Sequence, residues 1–273
     1  MDILILVKKL VPQSALATLA VVATTLGIGI PAHAYSTYFG EDLNNSEDVP
    51  LSSYPNAKNA QNQFLSNLVG VGTENFEGFS DGTTTPLNLN FPGAGTATLN
   101  GSGGTIASVT SGQTDRIGGY AISGSKYFDI NATSFSIDFT QPVAALGFYG
   151  VDVGDYGGQL TLTVTNTGGS TQTLTVPNTI GQGASTGGSV LYYGLTASNP
   201  NEQISKVAFG NNTIGDVFAF DDFTVGSLQQ VKAVPEPSTT LGFGIALGFG
   251  ALMKRMSSRK QNQLAKSKEF MNV

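Results

Sequence analysis

Leu160-Thr161-Leu162-Thr163-Val164, then Asn166-Thr167-Gly168-Gly169, then Thr173-Leu174-Thr175-Val176 is the stretch that decides the fold. Apolar and hydroxyl side chains alternate on both sides of an Asn- and Gly-bearing turn. Successive strand residues point to opposite faces, so each segment has one apolar and one wet face. The turn residues from Thr165 to Gln172 join them as a hairpin. Ser134-Phe135-Ser136-Ile137-Asp138-Phe139 repeats the alternation, and Ala144 to Val151, Ile204 to Phe209 and Val217 to Val225 read as further strands. Turn clusters at Asn178 to Gly188, Asn199-Pro200-Asn201 and Gly210-Asn211-Asn212 separate them. Strands rich in Thr, Val, Phe and Leu, with this much glycine, predict an antiparallel sheet with one wet face. Roughly eight to ten strands imply a β-sandwich or jelly roll.

Outward from that core the signals weaken. Residues 93–104, rich in Gly and Thr, predict a long loop or an edge strand. Residues 35–55, rich in Asn, Ser, Asp, Glu and Pro, predict a loosely structured segment. Asn56 to Leu68 has helical spacing, with Ala57, Ala60, Phe64 and Leu68 on one face and Pro55-Asn56 as start residues. From Phe76 onward the period switches to two. There is no convincing internal repeat.

The N-terminus has the three parts of a secretory signal. Lys8 and Lys9 are followed by an uncharged run from Leu10 to Ile30, and Ala32-His33-Ala34 fits the small-x-small rule for signal peptidase cleavage before Tyr35. The run exceeds the usual ~7–15 residues, so an uncleaved anchor is the alternative; Gly27, Gly29 and Pro31 favour the signal. His33 is the sole histidine, and the chain has no Cys and no Trp. The segment 35–233 therefore offers no Ser-His-Asp triad, no Cys nucleophile, no His- or Cys-ligated zinc and no disulfide scaffold. Its stability must come from burial.

Charge is segregated. Of the 19 acidic residues, all but Asp2, Glu236 and Glu269 lie in 35–233, against the five basic residues Lys58, Arg116, Lys126, Lys206 and Lys232, a formal −11. The tail after Met253 has six basic residues and Glu269, a formal +5. The acidic body excludes nucleic acid as a partner and suits divalent cations. The basic tail obeys the positive-inside rule, which leaves the body outside.

Val234-Pro235-Glu236-Pro237 is held extended by its prolines. A short Gly-rich apolar run, Thr239 to Met253, follows, and Lys254, Arg255, Arg259 and Lys260 behind it act as stop-transfer charges. This order resembles the PEP-CTERM protein-sorting signal, whose bearers are processed by an integral-membrane exosortase in bacteria that make exopolysaccharide. The resemblance implies recognition at Val234 to Pro237, anchoring by 239–253 and cytoplasmic retention of the tail. The tail is longer than is usual for that class. An ordinary single-span anchor is the alternative. The body also resembles the β-rich passenger domains of such proteins, through Gly40-Glu41-Asp42-Leu43-Asn44, Phe64-Leu65, Glu74 to Phe79 and Phe220 to Val225. Phe76-Glu77-Gly78-Phe79 and Asp221-Asp222-Phe223 look like the opening and closing strands of carbohydrate-binding jelly rolls, whose acidic groups often hold a structural calcium.

The chain thus divides into a signal peptide (1–34), a linker with a short helix (35–73), a β-sandwich (74–228), a Pro-containing linker with the sorting motif (229–238), a transmembrane sorting helix (239–253) and a basic cytoplasmic tail (254–273). Three site candidates follow. Glu77, Asp221 and Asp222 would converge on calcium if the first and last strands pair, the alternative being solvated strand-end carboxylates. Asp152, Asp155 and Tyr156 form a second acidic loop that suits a ligand or calcium, the alternative being a turn that uses Asp and Gly for backbone reasons. Tyr149, Tyr156, Tyr192 and Tyr193 would suit stacking on sugar rings, or ordinary strand packing. The expectation is a non-enzymatic, exported surface or matrix module that associates with exopolysaccharide. The alternatives are a purely structural adhesion protein and a carboxylate-based polysaccharide hydrolase. For the hydrolase, no spacing singles out a carboxylate pair.

Overall fold

The computed structural model describes residues 35–232 except 131–133, 183–184, 198 and 214–215. In chain order these form β1 (Tyr35–Asp42), α1 (Pro55–Ser66), β2 (Gly72–Glu74), β3 (Leu87–Phe91), β4 (Gly95–Gly101), β5 (Thr105–Ser108) and β6 (Lys126–Ile130). Then come β7 (Ser134–Val143), β8 (Ala145–Val151), β9 (Leu160–Asn166), β10 (Thr171–Thr175), β11 (Val190–Ala197), β12 (Ile204–Asn211) and β13 (Phe218–Gly226). They make two antiparallel sheets. One runs β1-β11-β8-β13-β6-β5, with β2 also on β13; the other runs β10-β9-β12-β7-β4-β3. The expected antiparallel sandwich with one short helix is what the chain builds.

The core lies between the sheets. Leu162, Val164, Phe135, Ile137, Val207 and Phe209 alternate inward from the six-stranded sheet, and their neighbours Thr161, Thr163, Ser136 and Ala208 alternate outward. Aromatic rings fill the centre. Phe135 stacks on Phe209 at 4.2 Å, and Phe148, Phe220 and Phe223 close edge-on around Phe209. Each such ring contributes about 1.5–3 kcal/mol by burial, and each pair about 0.5–1.5 kcal/mol more.

The central strands of the seven-stranded sheet are buried on both faces. Every residue of β8 and β11 is buried, because α1 and the segment before β6 cover its outer side. Helix α1 starts with Pro55 in its first turn and buries Ala57, Ala60, Gln61 and Phe64 on the sheet. Phe64 needs room there. A Cβ at Gly194 would lie 2.7 Å from Phe64 Cδ2, and one at Gly147 would lie 2.8 Å from Phe64 Cε1. Gly147 and Gly194 are paired across β8 and β11, so together they form the bare patch that receives the ring.

Three expectations are corrected, and the last strand departs from simple alternation. Residues 35–42 are an ordered strand on β11, not a loose segment; polar side chains fit there because β1 is an edge strand with a half-exposed outer surface. Residues 95–101 are paired on both sides, by β3 and β7, so the middle of 93–104 is an interior strand and only its ends, 93–94 and 102–104, are turns or irregular. Phe76-Glu77-Gly78-Phe79 is a turn, with Phe76 at φ 61° and the Phe79 amide donating to the Phe76 carbonyl at 3.0 Å. On β13 a bulge between Asp221 and Thr224, with Asp222 at φ 51°, breaks the alternation. Phe220 and Phe223 can therefore both face the core.

Candidate functional site

At one end of the sandwich β8 gives way to Asp152-Val153-Gly154-Asp155-Tyr156-Gly157-Gly158. Asp152, Gly154 and Gly157 all have left-handed backbones, at φ 64°, 95° and 88°, and the chain coils tightly. At Gly154 a side chain is excluded, since a Cβ would meet the Thr179 carbonyl oxygen at 2.5 Å. Asp152 ties the loop to the neighbouring segment. Its amide donates to the Ser189 carbonyl at 2.9 Å, and its Oδ1 accepts from the Gly188 amide at 2.6 Å. Val153 anchors the coil in the main core.

Inside this coil Asp155 meets Asp216, which sits just before β13. Asp155 is 0% exposed and Asp216 1%. None of their four carboxyl oxygens receives a hydrogen bond of good geometry, although the amides of Gly154 and Tyr156 lie near enough to act on them electrostatically. Asp216 Oδ2 is pressed against Gly158, where a Cβ would lie 2.4 Å from it and 2.9 Å from Asn211 Oδ1. A cavity of about 150 Å³ opens beside the pair, lined by Glu47, Ile117, Asp152, Tyr156, Asp216 and Val217. Tyr156 covers it from the solvent side, 53% exposed, with its hydroxyl 3.4 Å from Glu47 Oε1.

The electrostatics are one-sided. Burial first, then the Asp155 carboxyl and Asp152, push Asp216 up to about 8; the Gly154 amide offsets this only in part. Burial likewise pushes Asp152 up to about 8, against the Gly188 hydrogen bond and with Asp155, Glu47 and Asp115 adding to the rise. Asp155 is raised by burial and by Glu47, with the Asp216 side chain and the Tyr156 amide pulling it down. No Lys or Arg among the described residues is paired with any of the three. An unpaired carboxylate in such a place must take up a proton or a cation. Asp152, Asp155 and Tyr156 were legible in the sequence. Asp216 was not, since an aspartate between a turn and a strand carries no local signal; only the fold brings it to Asp155.

Glu77, Asp221 and Asp222 do converge, on the segment 122–126, and each reaches a different part of it. Glu77 Oε1 accepts from the amides of Ser125 and Lys126, both at 2.7 Å, which holds its carboxyl below the usual range. Asp221 Oδ2 accepts from the amides of Ile122 and Ser123 at 2.8 and 2.9 Å, and its Oδ1 from the Asp222 amide at 2.7 Å. Burial, then Asp222, push Asp221 upward against those amides. Asp222 Oδ1 accepts from the Ser123 hydroxyl at 2.7 Å. These carboxylates fasten a loop. Among the described residues no three His, Cys, Asp or Glu side chains gather closely enough to hold a metal by themselves.

The tyrosines expected to stack on sugars are mostly inside. Tyr149, Tyr192 and Tyr193 are 1%, 0% and 3% exposed, because α1 and the opposing sheet cover the strands that carry them. Only Tyr156 of that set reaches solvent. The open surface of the six-stranded sheet is instead hydroxyl and amide. Thr173, Thr163, Ala208, Ser136 and Asn100 form one cross-strand row, and Thr171, Thr165, Lys206, Asp138, Thr98 and Asn88 the next. The second row crosses six strands, or about 24 Å at the usual strand spacing. Its charges pair with each other, Lys206 Nζ lying 2.9 Å from Asp138 Oδ1.

The cleavage residues Ala32 and Ala34, the sorting motif Val234 to Pro237, the apolar run and Lys254, Arg255, Arg259 and Lys260 lie outside the described residues. Tyr35 opens β1, opposite Ala197. No helix among the described residues is long and apolar enough to cross a membrane.

No protein-family model matches the chain, and no curated protein does. Among solved structures it is similar to the K2 cleaved adhesin domain of Lys-gingipain, at 18% identity and a TM-score of 0.35, over 57% of this chain and 97% of that one. It is also similar to the CBM22-1 xylan-binding domain of Paenibacillus barcinonensis Xyn10C, at 14% identity and a TM-score of 0.36, over 62% and 99%. A third is the C-terminal family 22 carbohydrate-binding module of Clostridium thermocellum Xyn10B, at 13% and 0.33, over 59% and 95%. At TM-scores of this size no ligand carries over to this chain.

Proposed function

We propose that this protein is an exported, non-enzymatic β-sandwich that associates with exopolysaccharide at the cell surface or in the surrounding matrix, delivered there through signal peptidase, a membrane anchor and an exosortase. The observation that carries the polysaccharide reading is the open sheet of hydroxyl and amide groups, six strands wide, in which Lys206 and Asp138 of one cross-strand row neutralise each other. Such a surface exchanges hydrogen bonds with a hydrated polyhydroxyl chain at little desolvation cost. Delivery rests on the sequence order of Val234-Pro235-Glu236-Pro237, apolar run and basic cluster. A hydrolase is disfavoured because the carboxylates that meet, Asp155 and Asp216, are fully buried and out of reach of a glycosidic oxygen.

The test is calorimetric titration of the purified protein with the producing organism's own exopolysaccharide. Saturable heat supports the reading. No heat in either calcium or EDTA rejects polysaccharide association and leaves a structural surface protein.

A further inference from the structure

The Asp155–Asp216 pair is the feature of this molecule that its folding alone explains least. Two carboxyl groups whose oxygens receive no well-formed hydrogen bond are enclosed at 0% and 1% exposure, with only the nearby Gly154 and Tyr156 amides to offset them, beside further carboxylates and no paired cation. Burying even one unpaired carboxylate costs several kcal/mol. The surroundings are oxygen-rich. Asn211 Oδ1 lies beside Asp216 Oδ2 at Gly158, while the Gly158 and Thr179 carbonyls near Gly154 already accept from Asn178 Nδ2 at 3.0 and 3.3 Å. Gly154 and Gly158 have no side chain that would fill this space. The lining of the adjoining cavity includes the carboxyl groups of Glu47 and Asp152.

We infer that Asp155 and Asp216 hold a divalent cation of the calcium type, which locks the loop after β8 to the segment before β13. Calcium fits best because it takes six to eight oxygen ligands in irregular geometry, from carboxylates, carbonyls, amide oxygens and water together. Two carboxylates suffice for its charge. The remaining ligands would come from Asn211 Oδ1 and from solvent in the adjoining cavity. The softer transition metals have no His or Cys here to prefer. The competing state of the same pair is one shared proton, as in any two carboxyls forced together.

The experiment uses the full chain in mild detergent, stripped with EDTA and then titrated with CaCl2 by calorimetry. Tb³⁺ luminescence excited through tyrosine serves as a second readout, since Tyr156 lines the same cavity. Expected are one equivalent of Ca²⁺ bound, sensitised Tb³⁺ emission that Ca²⁺ displaces, and a thermal midpoint higher in Ca²⁺ than in EDTA. At a hundredfold excess over Kd the folded-to-unfolded ratio should rise about a hundredfold. Asp155→Asn and Asp216→Asn should each weaken binding at least tenfold, while Asp138→Asn on the open sheet should not. If one aspartate variant fails to fold, the other and the wild-type titration still decide. Absence of both heat and Tb³⁺ emission in the wild type, with equal midpoints in Ca²⁺ and EDTA, overturns the site in favour of the shared proton. Undiminished Ca²⁺ binding by a folded Asp155→Asn or Asp216→Asn protein also overturns it.

Discussion

Phe64 of the helix rests where Gly194 of the neighbouring strand has no side chain, with Cδ2 only 2.7 Å from where a Cβ would stand. The ring has no room to retreat. Gly147 limits it on one side, Tyr38 meets it edge-on at 5.7 Å, and Tyr192 lies at 5.8 Å. The helix is thus keyed to one place on the seven-stranded sheet.

Gly194→Ala should therefore destabilise the protein by overpacking, by about 1–3 kcal/mol. Phe64→Ala should cost about 3–5 kcal/mol by leaving a cavity. Urea midpoints of the two variants test this, and a neutral Gly194→Ala would show that the helix shifts freely on the sheet.

In metal-free protein the carboxyls of Asp152 and Asp216 sit near 8, far above an ordinary aspartate. Between those two values the folded state binds more protons than the unfolded state, so stability falls as pH rises from about 4 to about 8. In EDTA the urea midpoint should be lower at pH 8 than at pH 5, and Asp216→Asn should shrink that difference. Other carboxyls titrate in the same window, which makes the wild-type-minus-variant difference the informative quantity. An unchanged difference would mean that Asp216 titrates like an exposed aspartate.

Asp221 accepts three amides, so Asp221→Ala should leave those donors without their acceptor and cost about 2–4 kcal/mol. The loss should be the same in calcium and in EDTA, because the carboxyl serves the loop at 122–123. Thermal melts in both buffers check it; a loss seen only in calcium would restore Glu77, Asp221 and Asp222 as a metal site.

If the open sheet contacts polysaccharide, Thr163→Glu together with Ser136→Glu should weaken binding at least several-fold while leaving the far-UV spectrum and thermal midpoint nearly unchanged. Both residues point away from the core in the same cross-strand row. Unaltered binding would move the contact to another surface.

Replacing Pro235, Glu236 and Pro237 by alanine should leave the precursor unprocessed in its native host. Immunoblots of membrane and secreted fractions read this directly, and normal maturation would remove the sorting proposal.

Local pattern alone determined the strands whose one face is wet. At 134–139, 160–164 and 204–209 the alternation is set by water on one side and the core on the other, so it is written in consecutive residues. The helix was legible for the same reason, its buried face recurring at Ala57, Ala60 and Phe64. The absence of Cys and the confinement of His to residue 33 also fixed, without any structure, which chemistries are unavailable. Tertiary structure alone decided the rest. β11 is buried on both faces and lacks alternation, β1 is recognisable only as the partner of β11, and the bulge at Asp222 reverses a face that sequence parity assigns. The Asp155–Asp216 pair belongs to this second group. Bringing two like charges together is opposed locally, and it occurs only because the long-range packing of β8, β12 and β13 sets the positions of the loops that carry them.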